Sequence, residues 1–282
     1  MILAFGLVLA FAGSAMADAL TPESGGSPNA DAIDSLYKLI LAVAFIVFVG
    51  VEGCLFYSLW KFRARRGAVA AQIRGNTRLE VGWTVGAALI LVVLAAFTFV
   101  KLPEIRNPPN SGPNGLQIAD GTLVASGPTK SLPPNGKSLN VCINGQQYIW
   151  RFTYANDCSN APLSSPYSYE QLVVPTDTTV TLDINAQDVA HSWWIPKLGG
   201  KFDAIPGYTN HTWFQIPGRL AGRTFSGQCA EMCGRNHANM VAQVKAVRPA
   251  EFERYLEQLR ANLKAADAAA ARERKQVAKQ IP

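Results

Sequence analysis

The chain has 282 residues, of which 49% are hydrophobic and 16% are charged, and its formal net charge is +6. The apolar residues are concentrated in three blocks near the N-terminus, so the remainder is long enough for only one globular domain. Between residues 104 and 248, eleven basic residues are nearly balanced by nine acidic ones. This balance excludes the basic patch that a nucleic-acid-binding protein needs.

The first apolar block, residues 2–13, has the features of an export signal. Its length of about twelve residues is too short to span a bilayer core of roughly 30 Å. It is followed by Ala15-Met16-Ala17, a small-x-small pattern typical of a cleavage site. We therefore predict a signal peptide at residues 1–17 that is cleaved before Asp18; the alternative is a third membrane helix. Both interpretations require export.

Two longer apolar runs, residues 39–60 and 81–100, are each long enough to cross a membrane. The loop at residues 61–78 between them carries six basic residues and no acidic one, the bias typical of a cytoplasmic loop. The pattern predicts a short, flexible external lead at residues 18–35 and a two-helix transmembrane hairpin at residues 36–102. Both ends of the mature chain are then expected outside.

The sequence after the second apolar run predicts a linker, an all-β domain and a final helix. Residues 103–138 are rich in Gly, Pro, Asn and Ser, and Pro103 with a later Pro-Pro pair ends the helical pattern. Alternating apolar and polar residues within 139–248 are typical of a β-sandwich or a Greek-key barrel. Pro249 then opens a helix with apolar residues at helical spacing, and residues 249–282 end in a solvated, Ala-rich tail. The predicted strands are 139–143, 147–154, 178–184, 212–216 and 241–247.

Five cysteines in an exported protein suggest disulfides, but their positions differ in character. Cys54 lies within the first membrane run and is expected only to pack. Cys142 and Cys158 flank a strand-like stretch, where they form either a bridge or two buried thiols. Cys229 and Cys233 lie among other residue types that bind metals.

The segment from Gly227 to Met240 reads GQCAEMCGRNHANM and carries the most specific chemistry in the chain. Cys229, Cys233, His237 and Met240 offer two thiolates, an imidazole and a thioether, the soft and borderline ligands that select copper. A mononuclear copper site needs one cysteine, whereas two thiolates on one loop can bridge a pair of metal ions. The spacing therefore favours two copper ions over one. Without metal, the two thiols are expected to oxidise to a disulfide and block loading.

A second histidine ligand must come from elsewhere in the chain. His191, in the run DVAHSWW at residues 188–194, lies 38 residues before Cys229 and is the better candidate. His211 has no ligand-type neighbours and is predicted to be structural. Zinc is the competing metal for paired Cys and His residues, but zinc sites seldom recruit Met and the spacing is not that of a zinc finger.

These features together resemble one family. The string CxExCxxxHxxM, the upstream DxxHSW, the run DAIPG at residues 203–207 and two N-terminal membrane helices look like cytochrome c oxidase subunit II across most of residues 33–248. The resemblance implies a cupredoxin-like, Greek-key domain at residues 139–248 with a dinuclear copper A centre. The side chain of Glu231 is implied to help bind Mg²⁺ at the interface with subunit I. The implied copper ligands are His191, Cys229, the backbone carbonyl of Glu231, Cys233, His237 and Met240.

The resemblance also implies a function. Such a subunit accepts electrons from cytochrome c and passes them to the haem of subunit I, where O₂ is reduced to water and protons are translocated. The chain would be part of an enzyme without itself reducing oxygen. Expected partners are subunit I, subunit III, cytochrome c and membrane lipid, with no nucleic acid. The expected location is the bacterial inner (plasma) membrane, with the copper domain facing the periplasm.

The sequence departs from the family pattern at the site of electron uptake. Members of the mitochondrial type carry GxQWxW, whereas this chain has GQQYIW at residues 145–150, so Tyr148 replaces the usual tryptophan. Tyr148 and Trp150 are the candidate residues for electron uptake. Carboxylates could also meet a basic cytochrome c, although an ordinary solvated face is the alternative. These carboxylates are Asp188 and Asp203, followed by Glu170 and Asp183.

Two acidic residues lie within or beside the membrane runs. Glu80 begins the second run and matches, by the resemblance, a glutamate near the mouth of a proton channel; the alternative is an ion pair with Arg74 or Arg78. Glu52 matches no motif of the family. An intramembrane carboxylate of this kind is expected to contact a partner subunit.

Other protein classes fit these features less well. A quinol oxidase subunit shares the helices but lacks the copper ligands, and nitrous oxide reductase shares the copper motif but is a soluble, longer enzyme. A membrane-anchored copper-delivery or storage protein is the alternative from a different class. Such a protein would expose an exchangeable site and would need neither Glu80 nor the aromatic run.

Overall fold

The structure is a computed structural model, and it describes residues 20–63, 67, 69, 72–108, 118–119, 122–123, 138–155, 158 and 165–278. The predicted signal peptide at residues 1–17 and most of the predicted linker at residues 103–138 lie outside the described residues. The chain divides into two compact units. One unit is residues 34–103, and the other combines residues 1–33 with residues 104–282.

Two long helices run through the smaller unit. Helix α1 is Pro28–Lys61 and helix α2 is Thr77–Arg106. Each contains an 18-residue window that is strongly apolar, and no residue of either window is buried inside the protein. A helix that is apolar and exposed on all sides requires a hydrophobic surrounding. Both helices are therefore long and apolar enough to cross a membrane, as the sequence predicts.

Both ends of α2 differ from the prediction. The helix begins at Thr77 because Asn76 caps it, and the Leu79 N–H donates to Asn76 Oδ1 at 3.3 Å. The helix continues past Pro103 to Arg106, so Pro103 does not end it. The missing N–H of proline removes one helical hydrogen bond, and the following residues still complete the turn.

The rest of the described chain folds as a β-sandwich, which confirms the predicted fold class. The strands are β1 Ile118–Ala119, β2 Thr122–Leu123, β3 Ser138–Gln146, β4 Ile149–Tyr154, β5 Tyr167–Tyr169, β6 Gln171–Pro175, β7 Thr179–Ala186, β8 His191–Trp194, β9 Phe202–Ala204, β10 Asn210–Gln215, β11 Thr224–Cys229 and β12 Val241–Val247. One sheet has the strand order β10-β7-β3-β4-β5, and the other has the order β6-β12-β11-β8-β9. Most neighbours are antiparallel, but β3 pairs with β7 and β6 pairs with β12 in parallel. Parallel neighbours require long crossover connections instead of hairpins.

The hydrophobic core lies between the two sheets. Along β3, Val141 and Ile143 are fully buried, while the side chains that alternate with them are partly exposed. Strand β4 alternates in the same way, with Trp150 and Phe152 fully buried. This period of two places every second residue of β3 and β4 in the core and leaves the others on the outer face of the sheet.

Helix α3, Pro249–Ala278, begins at the predicted proline and packs on the sandwich through its first half. The ring of Phe252 lies 5.8 Å from that of Tyr154, and the ring of Tyr255 lies 6.2 Å from it. Burial, with the neighbouring Tyr255, raises the pKa of Tyr154 well above its ordinary value. The Tyr154 hydroxyl donates to the Val173 carbonyl at 2.9 Å. The second half of the helix is exposed, as the Ala-rich sequence predicts.

The segment before the first membrane run is not the flexible lead that its composition predicts. Helix α1 already begins at Pro28, and Ser27 and Asn29 are buried. Ser27 Oγ accepts from the Gln215 N–H at 3.1 Å, and Asn29 Nδ2 donates to the Trp213 carbonyl at 2.8 Å. These bonds satisfy backbone groups of β10, which is an edge strand of its sheet. Local composition does not reveal such distant partners.

Cys142 and Cys158 form a disulfide, with Cα atoms 5.5 Å apart. This finding decides between the bridge and the two buried thiols that the sequence leaves open. Cys142 lies on the outer face of β3, so the bridge fastens the chain after β4 to the outside of the first sheet. Cys54 is a free cysteine on the exposed surface of α1.

Candidate metal centre

Neighbouring strands of the second sheet bring the candidate ligands together. His191 is the first residue of β8, and Cys229 is the last residue of β11. Strand β11 lies between β8 and β12 in the sheet. The loop from β11 to β12 carries Cys233 and His237 and ends at Met240. The distant histidine and the local ligand loop therefore meet at one end of the sandwich.

Backbone hydrogen bonds hold the ligand loop in shape. The Cys229 N–H donates to the Met240 carbonyl at 2.9 Å, which closes the loop on itself. The Ala230 N–H donates to the Ser192 carbonyl at 2.9 Å, which ties the loop to β8. A short 3₁₀ turn, His237–Asn239, then leads into β12. The candidate ligands that are close in sequence are therefore also close in space.

Cys229 is the first of two sulphur atoms at the centre. Its Sγ lies 3.9 Å from Cys233 Sγ. His191 Nδ1 lies 3.8 Å from Cys229 Sγ, and the carbonyl oxygen of Glu231 lies 3.3 Å from it. His191, Cys229 and Cys233 are all buried. Cys229 therefore has one imidazole nitrogen and one oxygen donor beside it.

Cys233 has a matching set of neighbours. Its Sγ lies 3.5 Å from His237 Nδ1 and 3.8 Å from Met240 Sδ. Met240 is fully buried, whereas His237 is partly exposed. Each thiol thus has its own imidazole and one weaker donor. This donor set fits two copper ions, because one copper uses a single thiolate, two imidazoles and a weak axial ligand.

Burial governs the ionisation of the second thiol. Burial, with the neighbouring Cys229 thiol adding to its effect, raises the pKa of Cys233 to about 11. In the metal-free protein this thiol is therefore protonated at neutral pH, and a metal ion must displace its proton.

His191 is held by groups outside the donor set. Its Nε2 lies 2.9 Å from Asp188 Oδ1, which leaves Nδ1 towards Cys229. The ring of Trp150 lies against the imidazole, with ring centroids 5.8 Å apart. A Cβ atom on Gly145 would lie 3.0 Å from His191 Cδ2, so the glycine gives the ring its space. A carboxylate beside a ligand histidine fixes its tautomer and its orientation.

Internal donors occupy the carboxylate of Asp188. Its Oδ2 accepts from the Gln147 N–H at 2.7 Å, and its Oδ1 accepts from the Val189 N–H at 2.7 Å. Burial acts to raise the pKa of Asp188, but hydrogen bonds from His191, Gln147 and Val189 outweigh it and hold the pKa below its ordinary value. The sequence predicts Asp188 as a docking carboxylate. The residue is exposed, so this remains a prediction, and the structure shows that the same carboxylate also orients His191.

The tip of the hairpin between β3 and β4 covers the ligand loop. Gln147 Nε2 donates to the Cys233 carbonyl at 2.6 Å. Tyr148 is partly buried and packs against the core. A Cβ atom on Gly234 would lie 2.6 Å from Tyr148 Oη and 2.8 Å from Gln147 Nε2, and Gly234 has a φ of +129°. Glycine is therefore required next to Cys233 beneath this tip.

The remaining candidate carboxylates differ in exposure. Asp183 is buried, and its Oδ1 lies 2.6 Å from His211 Nδ1. Asp183 is thus paired inside the protein and does not offer its charge to a partner. The same pair is consistent with the structural role predicted for His211. Asp203 and Glu170 are exposed and remain candidates for docking.

The other predicted residues lie in different surroundings. Trp150 is fully buried beside His191, so Tyr148 is the more exposed of the two candidates for electron uptake. Glu80 and Glu52 belong to the helical unit. Glu80 Oε1 accepts from the Asn76 N–H at 3.2 Å at the start of α2. This capping bond is an alternative that the sequence prediction did not include.

Sequence reasoning missed three residues that shape the centre, namely Gly145, Gln147 and Gly234. A signal for each was present, because Gly145 and Gln147 belong to the aromatic run GQQYIW and Gly234 directly follows Cys233. Their importance comes from contacts across the fold. The sequence marks such residues as candidates without naming their partners.

Family profiles match both parts of the chain. The profile described as "Cytochrome C oxidase subunit II, periplasmic domain" matches residues 139–247. The profile described as "Cytochrome C oxidase subunit II, transmembrane domain" matches residues 15–100. The two matches together cover most of the chain, including the β-sandwich and both apolar helices.

Individual proteins agree with the profiles. The chain is 30% identical to cytochrome c oxidase subunit 2 of Thermostichus vulcanus, over 85% of this chain and 78% of that protein. It is 30% identical to the subunit 2 of Alkalihalophilus pseudofirmus, over 86% of this chain but only 63% of the length of that protein. The crystal structure of the periplasmic domain of subunit II from Bradyrhizobium japonicum is similar, with 27% identity and a TM-score of 0.39 over 44% of this chain and 95% of that domain. This chain therefore belongs to the cytochrome c oxidase subunit II family, as a membrane-anchored bacterial member whose β-sandwich is periplasmic.

Proposed function

We propose that this chain is the electron-accepting subunit of a terminal oxidase. It takes electrons from cytochrome c at a dinuclear copper A centre and passes them to the haem of subunit I, where O₂ is reduced to water with proton translocation. The observation that carries this proposal is a pair of buried thiols 3.9 Å apart, each with its own imidazole nitrogen. A mononuclear site has no use for the second thiol.

The chain's own residues hold and protect the ligand set. Asp188 fixes the imidazole of His191, and burial keeps water away from both thiols. The partly exposed His237 marks the side from which a partner protein can approach. When bound, a dinuclear copper pair supplies one-electron transfer with the charge change spread over two metals. The residues that would hold the pair are His191, Cys229, the carbonyl of Glu231, Cys233, His237 and Met240.

We propose that Glu231 binds two different metals, copper through its backbone carbonyl and Mg²⁺ through its side-chain carboxylate. Its carbonyl oxygen lies beside Cys229 Sγ, at 3.3 Å, while its side chain is exposed. Carboxylate oxygens suit the hard Mg²⁺ ion, and sulphur and imidazole suit copper. The exposed carboxylate would bind Mg²⁺ together with residues of subunit I. Subunit III and membrane lipid are the further expected partners.

Copper delivery or storage is the alternative function. Full burial of His191 and near-complete burial of both thiols favour electron transfer, because a delivery site must expose its ligands for exchange. The deciding experiment purifies the intact chain from its native membranes in mild detergent. An oxidase subunit should bring a haem-bearing partner in equal amount. Recovery of the copper-loaded chain without any haem protein would favour copper delivery.

Replacement of Tyr148 with alanine should slow reduction of the oxidase by cytochrome c about tenfold. The phenol ring lies over Gly234, next to Cys233, and its side chain is partly exposed. Loss of an aromatic interface contact worth roughly 1.4 kcal/mol corresponds to this factor. Stopped-flow oxidation of reduced cytochrome c by the purified oxidase measures the rate.

Tyr148→Trp is the matched control for this prediction. It keeps an aromatic ring at the hairpin tip, so the rate should stay close to that of the wild type. The copper EPR spectrum should be the same in all three proteins, since Tyr148 supplies no donor atom. Equal rates for Tyr148→Ala and the wild type would place electron uptake elsewhere on the surface.

Glu80→Gln should slow a proton-coupled step of the assembled oxidase at least about tenfold, because a carboxyl group exchanges protons and an amide does not. The glutamine keeps an oxygen that can accept from the Asn76 N–H, so the start of α2 should be preserved. Stopped-flow absorbance should show slower reduction of the oxygen-reducing site with unchanged electron uptake from cytochrome c. Wild-type rates in both phases, with normal assembly, would limit Glu80 to capping the helix.

A further inference from the structure

Gln147 touches both loops that carry the candidate ligands. It lies at the tip of the hairpin between β3 and β4. Its backbone N–H donates to Asp188 Oδ2 at 2.7 Å, and its side-chain Nε2 donates to the Cys233 carbonyl at 2.6 Å. Asp188 lies on the loop that leads into His191, and Cys233 lies on the loop between β11 and β12. One residue at a hairpin tip therefore links two separate loops.

The first link reaches His191 through a shared carboxylate. Asp188 Oδ1 lies 2.9 Å from His191 Nε2, while Oδ2 accepts from the Gln147 N–H. A carboxylate held at both oxygens cannot rotate freely, so it keeps the imidazole directed at Cys229. This link uses the backbone of Gln147. Substitution of the side chain leaves it in place.

The second link reaches the ligand loop and depends on the side chain. The bond to the Cys233 carbonyl restrains the residue whose Sγ lies 3.9 Å from Cys229 Sγ. Gly234 follows Cys233, and a Cβ atom there would lie 2.8 Å from Gln147 Nε2. The amide group and the glycine therefore fit closely against each other. Gln147 is itself exposed, but both of its bonds point into the protein.

We propose that Gln147 is a positioning residue. It fastens the loop that carries Cys233, between β11 and β12, to the loop that leads into His191, and so sets the separation of the two thiols. The inference rests on the proposed function, because it names the residue that holds His191 and the ligand loop in a fixed relative position. This fastening requires a hydrogen-bond donor at the end of a side chain of this length. An apolar side chain of equal length does not replace it.

The test compares Gln147→Met with Gln146→Met in the full-length chain. Both changes remove an amide and preserve the side-chain length. The amide of Gln146 donates to Asn144 Oδ1 at 3.1 Å and to Gln187 Oε1 at 2.6 Å, so it bonds to neither Asp188 nor the ligand loop. Gln146→Met is therefore a matched control at the adjacent position.

The first measurement uses the metal-free protein. In a Cys54→Ser background, the free thiols are those of Cys229 and Cys233. Oxidised glutathione converts them to a disulfide by accepting two electrons and two protons, which yields two molecules of reduced glutathione. Titration of the protein thiols after removal of glutathione by gel filtration follows the loss. Gln147→Met should speed this loss about fivefold, because one net hydrogen bond no longer restrains the loop. Gln146→Met should leave the rate unchanged.

The second measurement uses the copper-loaded protein. Gln147→Met should change the copper hyperfine pattern and the reduction potential at unchanged copper content, and Gln146→Met should match the wild type. A residue that only stabilises the fold would lower the melting temperature without moving the potential.

Wild-type thiol rates and potentials in Gln147→Met would overturn this positioning role while leaving the proposed function intact. A wild-type protein that binds no copper pair would refute the proposed function. The glutathione rates would still decide whether Gln147 restrains the ligand loop.

Discussion

Cys229→Ser should abolish the dinuclear copper signal and lower oxidation of cytochrome c at least about 100-fold. Cys229 Sγ lies within 3.9 Å of Cys233 Sγ and within 3.8 Å of His191 Nδ1, so it is central to the donor set. A serine hydroxyl is a hard ligand that does not replace a copper-binding thiolate. Loss of an outer partner of a ligand already costs about 10–100-fold, and loss of a thiolate ligand itself should cost more. Copper analysis and EPR of the purified chain provide the measurement.

Met240→Leu provides the contrasting case. Met240 is fully buried, and its Sδ lies 3.8 Å from Cys233 Sγ. Leucine fills a similar volume without the weak thioether donor, so both copper ions should remain while the reduction potential shifts. A single copper ion with a localised hyperfine pattern in the wild-type protein would contradict the dinuclear assignment for both variants.

The ligand loop was the most predictable part of the site. Cys229, Cys233, His237 and Met240 lie within one short loop, so their spacing in sequence already places their donor atoms near one another. His191 is different, because its place beside Cys229 depends on the pairing of β8 with β11. Sequence reasoning reached it because the loop needs a second histidine ligand and His211 has no ligand-type neighbours, and the family resemblance implies the same residue.

The roles of supporting residues were less predictable. Asp188 is exposed, as a docking carboxylate requires, but the sequence did not indicate the three donors that hold it beside His191. Asp183 alternates with buried residues along β7 but is itself buried against His211. In both cases the deciding partner is distant in sequence or is a backbone N–H. Residue type and spacing carry no signal for such a bond.

Strand prediction followed the alternation of apolar and polar residues in the sequence, which also identified β7, although nearly all residues of β7 are buried. Strand β3 alternates between buried and partly exposed residues, and the sequence predicts a strand there. Strands β6 and β8 were missed because their sequences, QLVVP and HSWW, do not alternate between apolar and polar residues. The burial of the N-terminal segment was also missed. Ser27 and Asn29 are polar, so composition suggests exposure, but both bond to backbone groups of the edge strand β10.

Replacing Cys142 and Cys158 together with serine should lower the free energy of unfolding of the sandwich by about 3 kcal/mol. The bridge joins residues 16 apart in sequence, and closing a loop of this size restricts the unfolded chain by about that amount. Asn140 Nδ2 also donates to the Ala155 carbonyl, at 3.1 Å, but this single bond should not compensate for the lost link. Urea unfolding followed by tryptophan fluorescence measures the change.

The same double variant should retain the copper spectrum of the wild type. Cys142 lies on the outer face of β3, whereas the neighbouring Val141 and Ile143 point into the core. Loss of the bridge should therefore reduce stability without moving the donor atoms. Cys54→Ser is the matched control, because Cys54 is an unbridged, exposed cysteine of α1 and its loss should leave the sandwich unchanged. A double variant as stable as Cys54→Ser would show that the chain after β4 is held without the disulfide, and an altered copper spectrum would show that the outer face of the sheet controls the ligand loop.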